Sequence, residues 1–266
     1  MLTFFISVSL LSSWVDKIDR HYNGAKEGVR IEDIEVGRML PAELNEIVAE
    51  LAVRCQKLPV EPTLDKDSGA IIDGQKGIIV DIDQTVANAL SAAPDSTIKL
   101  VLHPLMPRYS KESLEQVRYC IGTYKTGFSG SSARLRNIQT ACYSVNHTIV
   151  WPGQEFSFNA GTGPRTAERG YLPAPIIMGG QFEMGDGGGV CQASSTLYNA
   201  ARQARLRIIE RHGHSKPVRY VPAGRDAAVS FGDQDLRFAN PRAGPIIIKM
   251  WVARGTVCAE IWGGEN

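Results

Sequence analysis

The stretch GDGGGVCQASSTLYNAA, Gly185 to Ala201, sets four glycines and an aspartate before one cysteine and then turns into helix-forming residues. From Val190 onward, apolar or small residues recur at Ala193, Leu197, Ala200, Ala201 and Ala204, the spacing of an amphipathic helix that ends near Arg205. Cys191 falls in the first turn of that helix. Unpaired backbone N–H groups and the helix dipole favour an anion there. A thiolate is such an anion, and cysteines at helix starts can have pKa values lowered from about 8.5 to ~3.5–7.5. Gly187, Gly188 and Gly189 lack side chains, so they permit unusual dihedrals and the close approach of a second backbone or a ligand.

A nucleophilic thiol needs a base, and His212 and His214 follow the helix in RHGHSKPV. If this segment is extended, both imidazoles point to the same side. His214 is the preferred partner, because the chain after it can return beside the helix. Asp226, in GRDA, is the candidate that orients the imidazole. Gln192 is a candidate oxyanion donor. Two other readings stay open. Cys191, His212 and His214, with Asp186 or Asp226, form a donor set that suits zinc. Alternatively the glycines make a tight turn, the thiol packs inside and the histidines bond to backbone. Ser194, Ser195 and Thr196 are expected to support the helix start, and Tyr198 to pack. Arg134 and Asn137 in ARLRN, Arg165 in GTGPRT and Arg225 in GRDA are candidate ligand-binding residues, since a guanidinium holds a carboxylate in bidentate fashion.

Around this core the chain has 266 residues, 43% hydrophobic and 21% charged, with a formal net charge of +1. That composition predicts a packed fold of one large or two ordinary domains. Acids and bases are interspersed with no basic stripe, which argues against a nucleic-acid partner. The five cysteines, Cys55, Cys120, Cys142, Cys191 and Cys258, are widely spaced with no CxxC pair. They support neither a disulfide framework nor a zinc ribbon, and all but Cys191 are expected to be structural. We expect no cofactor. Residues 1–15, with the apolar run LTFFISVSLLSSWV, are short for a membrane span and suit an export signal or a clipped anchor.

The fold class expected is α+β. In a small N-terminal α+β domain over 24–107, short strands surround Val29 to Val36, and Pro41 opens a helix whose inward face carries Leu44, Ile47, Val48, Leu51 and Cys55. A second helix spans Asp81 to Ala93, and a linker or connecting helix follows Met106. A mixed α+β domain over 119–263 then has a helix from Ser132 to Asn146, with Leu135, Ile138, Cys142 and Val145 inward. The central helix starts at Cys191, and the C-terminal part is β-rich, in AAVSF, DLRFAN, PIIIKMWV and TVCAEIWG.

RNIQTACYSVNHTIVWPGQEFSFNAGTGPRTAERGY, then GGGVCQASSTLYNAA, ERHGHSKPVRYVPAGRDAAV and DLRFAN, in this order, resemble the VanW family, named after an accessory protein of vancomycin-resistance clusters. The likeness runs from about Tyr119 to Trp251. More weakly, GVRIEDIEVGRM, the helix after Pro41 and GAIIDGQKGIIVD resemble the peptidoglycan-binding-like domain that often precedes VanW domains. The resemblance implies a protein outside the cytoplasm, in the cell envelope, held to the membrane by its N-terminal segment, with peptidoglycan or its stem peptides as partner. It supplies no mechanism. From the residues, the expected chemistry is thiol-dependent acyl transfer or amide hydrolysis on stem peptides. The alternative is a non-catalytic binding accessory protein related to glycopeptide resistance. Oligomeric state is not legible in the sequence.

Overall fold

A computed structural model describes residues 14–178 and 181–265. Most of the expected signal or anchor segment, residues 1–13, lies outside the described residues. No helix among the described residues is long and apolar enough to cross a membrane. The chain is α+β, as the patterning predicts, and divides into two compact units.

The first unit comprises the described residues to Glu61 together with Gly74–Arg108. It opens with helix α1 (14–23), strands β1 (Arg30–Ile31) and β2 (Ile34–Glu35), and helix α2 (Pro41–Cys55). Residues 62–73, which carry the hairpin β3 (Thr63–Leu64) and β4 (Ile71–Ile72), belong to the second unit. The first unit resumes with β5 (Gly77–Val80), α3 (Ile82–Ser91), β6 (Thr97–Ile98) and β7 (Leu102–Leu105). Pro41 starts α2, where its missing N–H costs nothing. Asp81 caps α3 by accepting from Gln84 N at 2.9 Å. Val29, Ile31, Leu44, Val48, Val80 and Ala89 form the core. Cys55 is exposed, contrary to its place on the apolar stripe. It is the last residue of α2, and the buried stripe of Leu44, Val48, Leu51 and Ala52 ends one turn earlier.

The second unit begins again after α4 (Lys111–Glu115) with β8 (Tyr119–Gly127), α5 (Ser132–Val145), β9 (Thr148–Val150), β10 (Glu155–Ser157) and α6 (Phe158–Thr162). The hairpin β11 (Pro173–Met178) and β12 (Gln181–Asp186) runs into the glycines and helix α7 (Val190–Gln203). Strands β13 (Arg207–Glu210), β14 (Arg237–Ala239), β15 (Ile246–Ala253) and β16 (Thr256–Gly263) complete it. Four of these make an antiparallel sheet in the order β8-β16-β15-β9. Ile246, Ile248 and Met250 on β15 and Val257, Ala259 and Ile261 on β16 alternate onto one face. Against them pack Ile138, Ala141, Cys142 and Val145 of α5 and Val190, Ala193, Leu197, Ala200 and Ala201 of α7. Each such large side chain contributes about 1.5–3 kcal/mol when fully buried. A second sheet, β10-β14-β13, adds the stacked pair Phe156 and Phe238.

The amphipathic reading of α7 does not hold. Val190 and the ten residues from Gln192 to Ala201 are all buried, so the helix is enclosed on every side. Its polar residues mislead a periodicity count because they are buried and bonded, not solvated. Thr196 Oγ1 donates to Gln192 O and meets Thr126 Oγ1 at 2.8 Å, tying helix to sheet.

Candidate functional site

Three elements meet at the start of α7. Gly189, the N-cap, has φ +107°, a left-handed conformation that glycine adopts without strain. A side chain at Gly188 would lie 2.7 Å from the backbone of Ala174 and Pro175, so β11 is the second backbone that approaches. The space beside the glycines is thus filled by the protein itself. The expectation that Gly187, Gly188 and Gly189 admit a ligand gives way to close packing.

Cys191, in the first turn, is partly buried, and its thiol points to the Val229 carbonyl at 3.5 Å. The sulfur also lies near enough to the His214 imidazole for each group to shift the other's titration. His214 Nδ1 donates to Asp226 Oδ2 at 2.7 Å, and the same oxygen accepts from His214 N at 2.7 Å. Two bonds to one carboxylate oxygen fix both the ring and its backbone. Nδ1 being occupied, Nε2 is left for the sulfur, with Tyr220 Oη 3.4 Å away. Arg211 donates to Asp226 Oδ1 at 2.6 Å and lies over the Tyr198 ring.

Burial pushes the Cys191 thiol up, but the His214 hydrogen bond and charge outweigh it and hold the thiol below its ordinary value. Burial pulls the His214 imidazole down, and Cys191 and Asp226 together raise it above its ordinary value. Asp226 is also raised by burial and lowered on balance, by the His214 bonds and Arg211. All three directions favour thiolate, imidazolium and carboxylate in a row. By contrast burial pushes Cys142 up to about 12 and raises Cys258, while Cys55 and Cys120 are exposed. None of the five is in a disulfide.

The residues singled out by sequence divide sharply. Cys191, His214 and Asp226 come together. His212 does not join them: its Nε2 pairs with Glu210 at 2.9 Å, and its side chain is 39% exposed against 8% for His214. The two imidazoles of HGH therefore part, because His212 sits in a bridge to Ala228 while the chain turns after it. Among the described residues no group of three or more His, Cys, Asp or Glu is arranged to hold a metal ion. The zinc reading thus lacks a ligand set. The Gln192 side chain is already committed, donating to Thr126 Oγ1 and Gly127 O and accepting from Arg134 Nη2 at 2.9 Å. It has no amide hydrogen to spare for an oxyanion. Asn137 is fully buried and bonds Leu172 on both N and O and Gly188 O, so it holds the glycine run and does not face a ligand. Arg225 is exposed and lines a surface depression with Thr123, Tyr124, Asn199, Arg202 and Gln203, toward the C-terminal end of α7. Arg165 remains near the thiol, which it affects electrostatically.

Sequence reading missed Tyr220 and the work of two serines. Ser195 Oγ accepts from Ala227 N at 2.8 Å and donates to Cys191 O at 2.7 Å, and Ser194 Oγ donates to Ala227 O at 2.6 Å. They bind the strip after Asp226 to the helix carrying Cys191. Two adjacent serines on a helix that must be buried were the available signal.

Fold and site define an α+β protein in which a helix-start thiol is set beside a carboxylate-anchored imidazole. The family model of VanW like protein matches residues 133–262. The chain is 35% identical over 227 residues to the uncharacterized protein YoaR of Bacillus subtilis (strain 168), an alignment spanning 83% of this chain and 74% of that one. It is 28% identical over 124 residues to the vancomycin B-type resistance protein VanW of Enterococcus faecalis, spanning 44% of this chain and 45% of that protein. The chain belongs to the VanW family. No solved structure matches it.

Proposed function

We propose that this protein works outside the cytoplasm, in the cell envelope, and that Cys191 is a nucleophile for acyl transfer or amide hydrolysis on peptidoglycan stem peptides. The observation that carries the reading is the Cys191–His214–Asp226 row, with its charge order favouring a thiolate. The relative named for vancomycin B-type resistance and the envelope role implied by the family resemblance direct the substrate to peptidoglycan. The first unit is then the part that recognises the wall, and the N-terminal segment its anchor.

In this mechanism the thiolate attacks the amide carbonyl carbon and a C–S bond forms. As the C–N bond breaks, His214 Nε2–H gives its proton to the leaving amine. Water or a second amine then attacks the thioester, His214 takes the incoming proton, and the C–S bond breaks to release the thiolate. Asp226 keeps the imidazole oriented and stabilises its charged form.

A second reading, a non-catalytic binding module, draws on the thiol's contact with the Val229 carbonyl, which a purely packed cysteine would also make. Product analysis separates the two. Purified wall is incubated with wild type and with Cys191→Ser, and the muropeptides are resolved by mass spectrometry. A Cys191-dependent change in cross-links or stem lengths is expected; identical profiles for both proteins would sink the catalytic reading. Cell fractionation that leaves the protein wholly in the cytoplasm would sink the envelope assignment.

A further inference from the structure

Beside the thiol sits a cation that no carboxylate bonds directly. Arg165 Nη2 donates to Asn159 Oδ1 at 2.6 Å, and Asn159 is itself fixed by bonds to Ser230 O and Gln234 O. The other terminal nitrogen, Nη1, is buried and has no hydrogen-bond partner. Among the described residues no carboxylate lies within ion-pair distance of the Arg165 guanidinium. Its stem lies against the glycine run, where a Cβ on Gly187 would fall 2.8 Å from Arg165 Cγ. Its head lies 5.8 Å from the Phe231 ring centre. Buried charges in proteins are ordinarily paired, because an unpaired one loses its hydration for nothing. Burial pulls the Arg165 pKa down, and Tyr171, Cys191 and Asp235 nearby oppose it, so guanidinium and thiol share one electrostatic environment.

Cys191 Sγ contacts the Val229 carbonyl, and the Arg165 guanidinium lies by Phe231, two residues further along the same segment, so thiol and cation border one stretch of chain.

We infer that Arg165 is the receptor for the free terminal carboxylate of the acyl donor, and so draws the carboxyl end of a peptide toward the thiol. This rests on the thiol reading above. Asn159 holds one edge of the guanidinium, leaving Nη1 for the carboxylate. Arg165 is a specificity-determining residue that touches the leaving group.

The test uses two synthetic stem tetrapeptides, one ending in a free carboxylate and one in a carboxamide. Binding to Cys191→Ser protein reads the receptor apart from the chemistry. The carboxylate peptide binds at least tenfold tighter than the carboxamide, Arg165→Gln removes the difference, and Arg165→Lys restores part of it. Equal affinities for the two peptides, or a preference that survives Arg165→Gln in a protein whose melting curve is unchanged, overturn the inference. Acylation of wild-type Cys191, read by intact mass, tests the thiol reading separately. Tight, Arg165-dependent binding with no thioester would leave the receptor standing and remove the nucleophile.

Discussion

Replacing Asp226 by Asn keeps the shape of the side chain and deletes the charge that anchors His214. Oδ2 takes two bonds from His214, through Nδ1 and the backbone N, both at 2.7 Å, and the side chain is only 12% exposed. Solvent therefore screens the ion pair weakly. A hydrogen bond to a charged group contributes about 1.5–3 kcal/mol, and about 1.4 kcal/mol corresponds to one pKa unit. The imidazolium loses that support, and with it the thiolate loses its partner. The apparent pKa of the Cys191–His214 pair, read as thiolate formation, is expected to rise by about one to two units. A more basic thiolate is also a better nucleophile, with a Brønsted slope of about 0.4–0.5, so part of the loss is recovered. Below both pKa values the alkylation rate should fall by roughly 3- to 16-fold, not 10- to 100-fold. The assay is iodoacetamide modification followed by intact mass across the acid and alkaline range. It is run in a Cys55→Ser/Cys120→Ser background, since those two thiols are exposed. A midpoint that does not move in a folded Asp226→Asn protein would refute the reasoning, and Asp226 would then be an anchor for Arg211 alone.

Further outcomes follow from the same geometry. His214→Ala should abolish the low-pH limb of Cys191 alkylation while His212→Ala leaves it in place, because His212 faces Glu210; equal effects would contradict the placement of the two rings. Ser195→Ala strands the buried Ala227 N–H and should cost about 1–3 kcal/mol in urea unfolding. Gly188→Ala drives a methyl into the backbone of β11, and overpacking of this kind should lower stability by roughly 1–3 kcal/mol; an unaffected midpoint would mean the hairpin yields freely. Asp226 has a folded pKa below its unfolded value of about 3.9, so its stabilisation is complete above that value and lost as pH falls through the folded pKa. Acid titration of wild type should therefore be steeper than that of Asp226→Asn, with a parallel pair of curves counting against the shift.

The site was legible in chain order more than in periodicity. Glycines before a cysteine, a histidine pair after the helix and an aspartate beyond it are local signals, and they located Cys191, His214 and Asp226. Which histidine turns inward depends on whether the ring finds Asp226 or Glu210, carboxylates that only the folded chain places. The α7 pattern was misread for a related reason. Ser194, Ser195, Thr196 and Asn199 count as solvent-facing in any hydropathy sum, yet each is buried and bonded across to another segment or back to the helix. Cys55 failed in the opposite direction, since a stripe predicts which face is apolar but not where the opposing core ends.

The buried polar face of α7 also bears on why the row of side chains can be held in register. The thiol and the imidazole come from segments 23 residues apart in sequence, and among the described residues the His214 loop contributes no strand to a sheet. Backbone pairing supplies a single bridge, His212 to Ala228, which by itself leaves the ring's position open. Ser194, Ser195 and Asn199 add to it, by bonding Ala227 N, Ala227 O and Arg225 O on either side of Asp226. Asp226 in turn fixes His214 at two points. The chain of constraint runs from the middle of the helix, through the aspartate, to the imidazole, and back to the cysteine at the helix start. Removing a serine should then blunt the thiol's pH profile as well as stability, and an apolar replacement that restored stability alone would leave the profile impaired. That dissociation distinguishes serines that position the thiol and imidazole from serines that only fill a core.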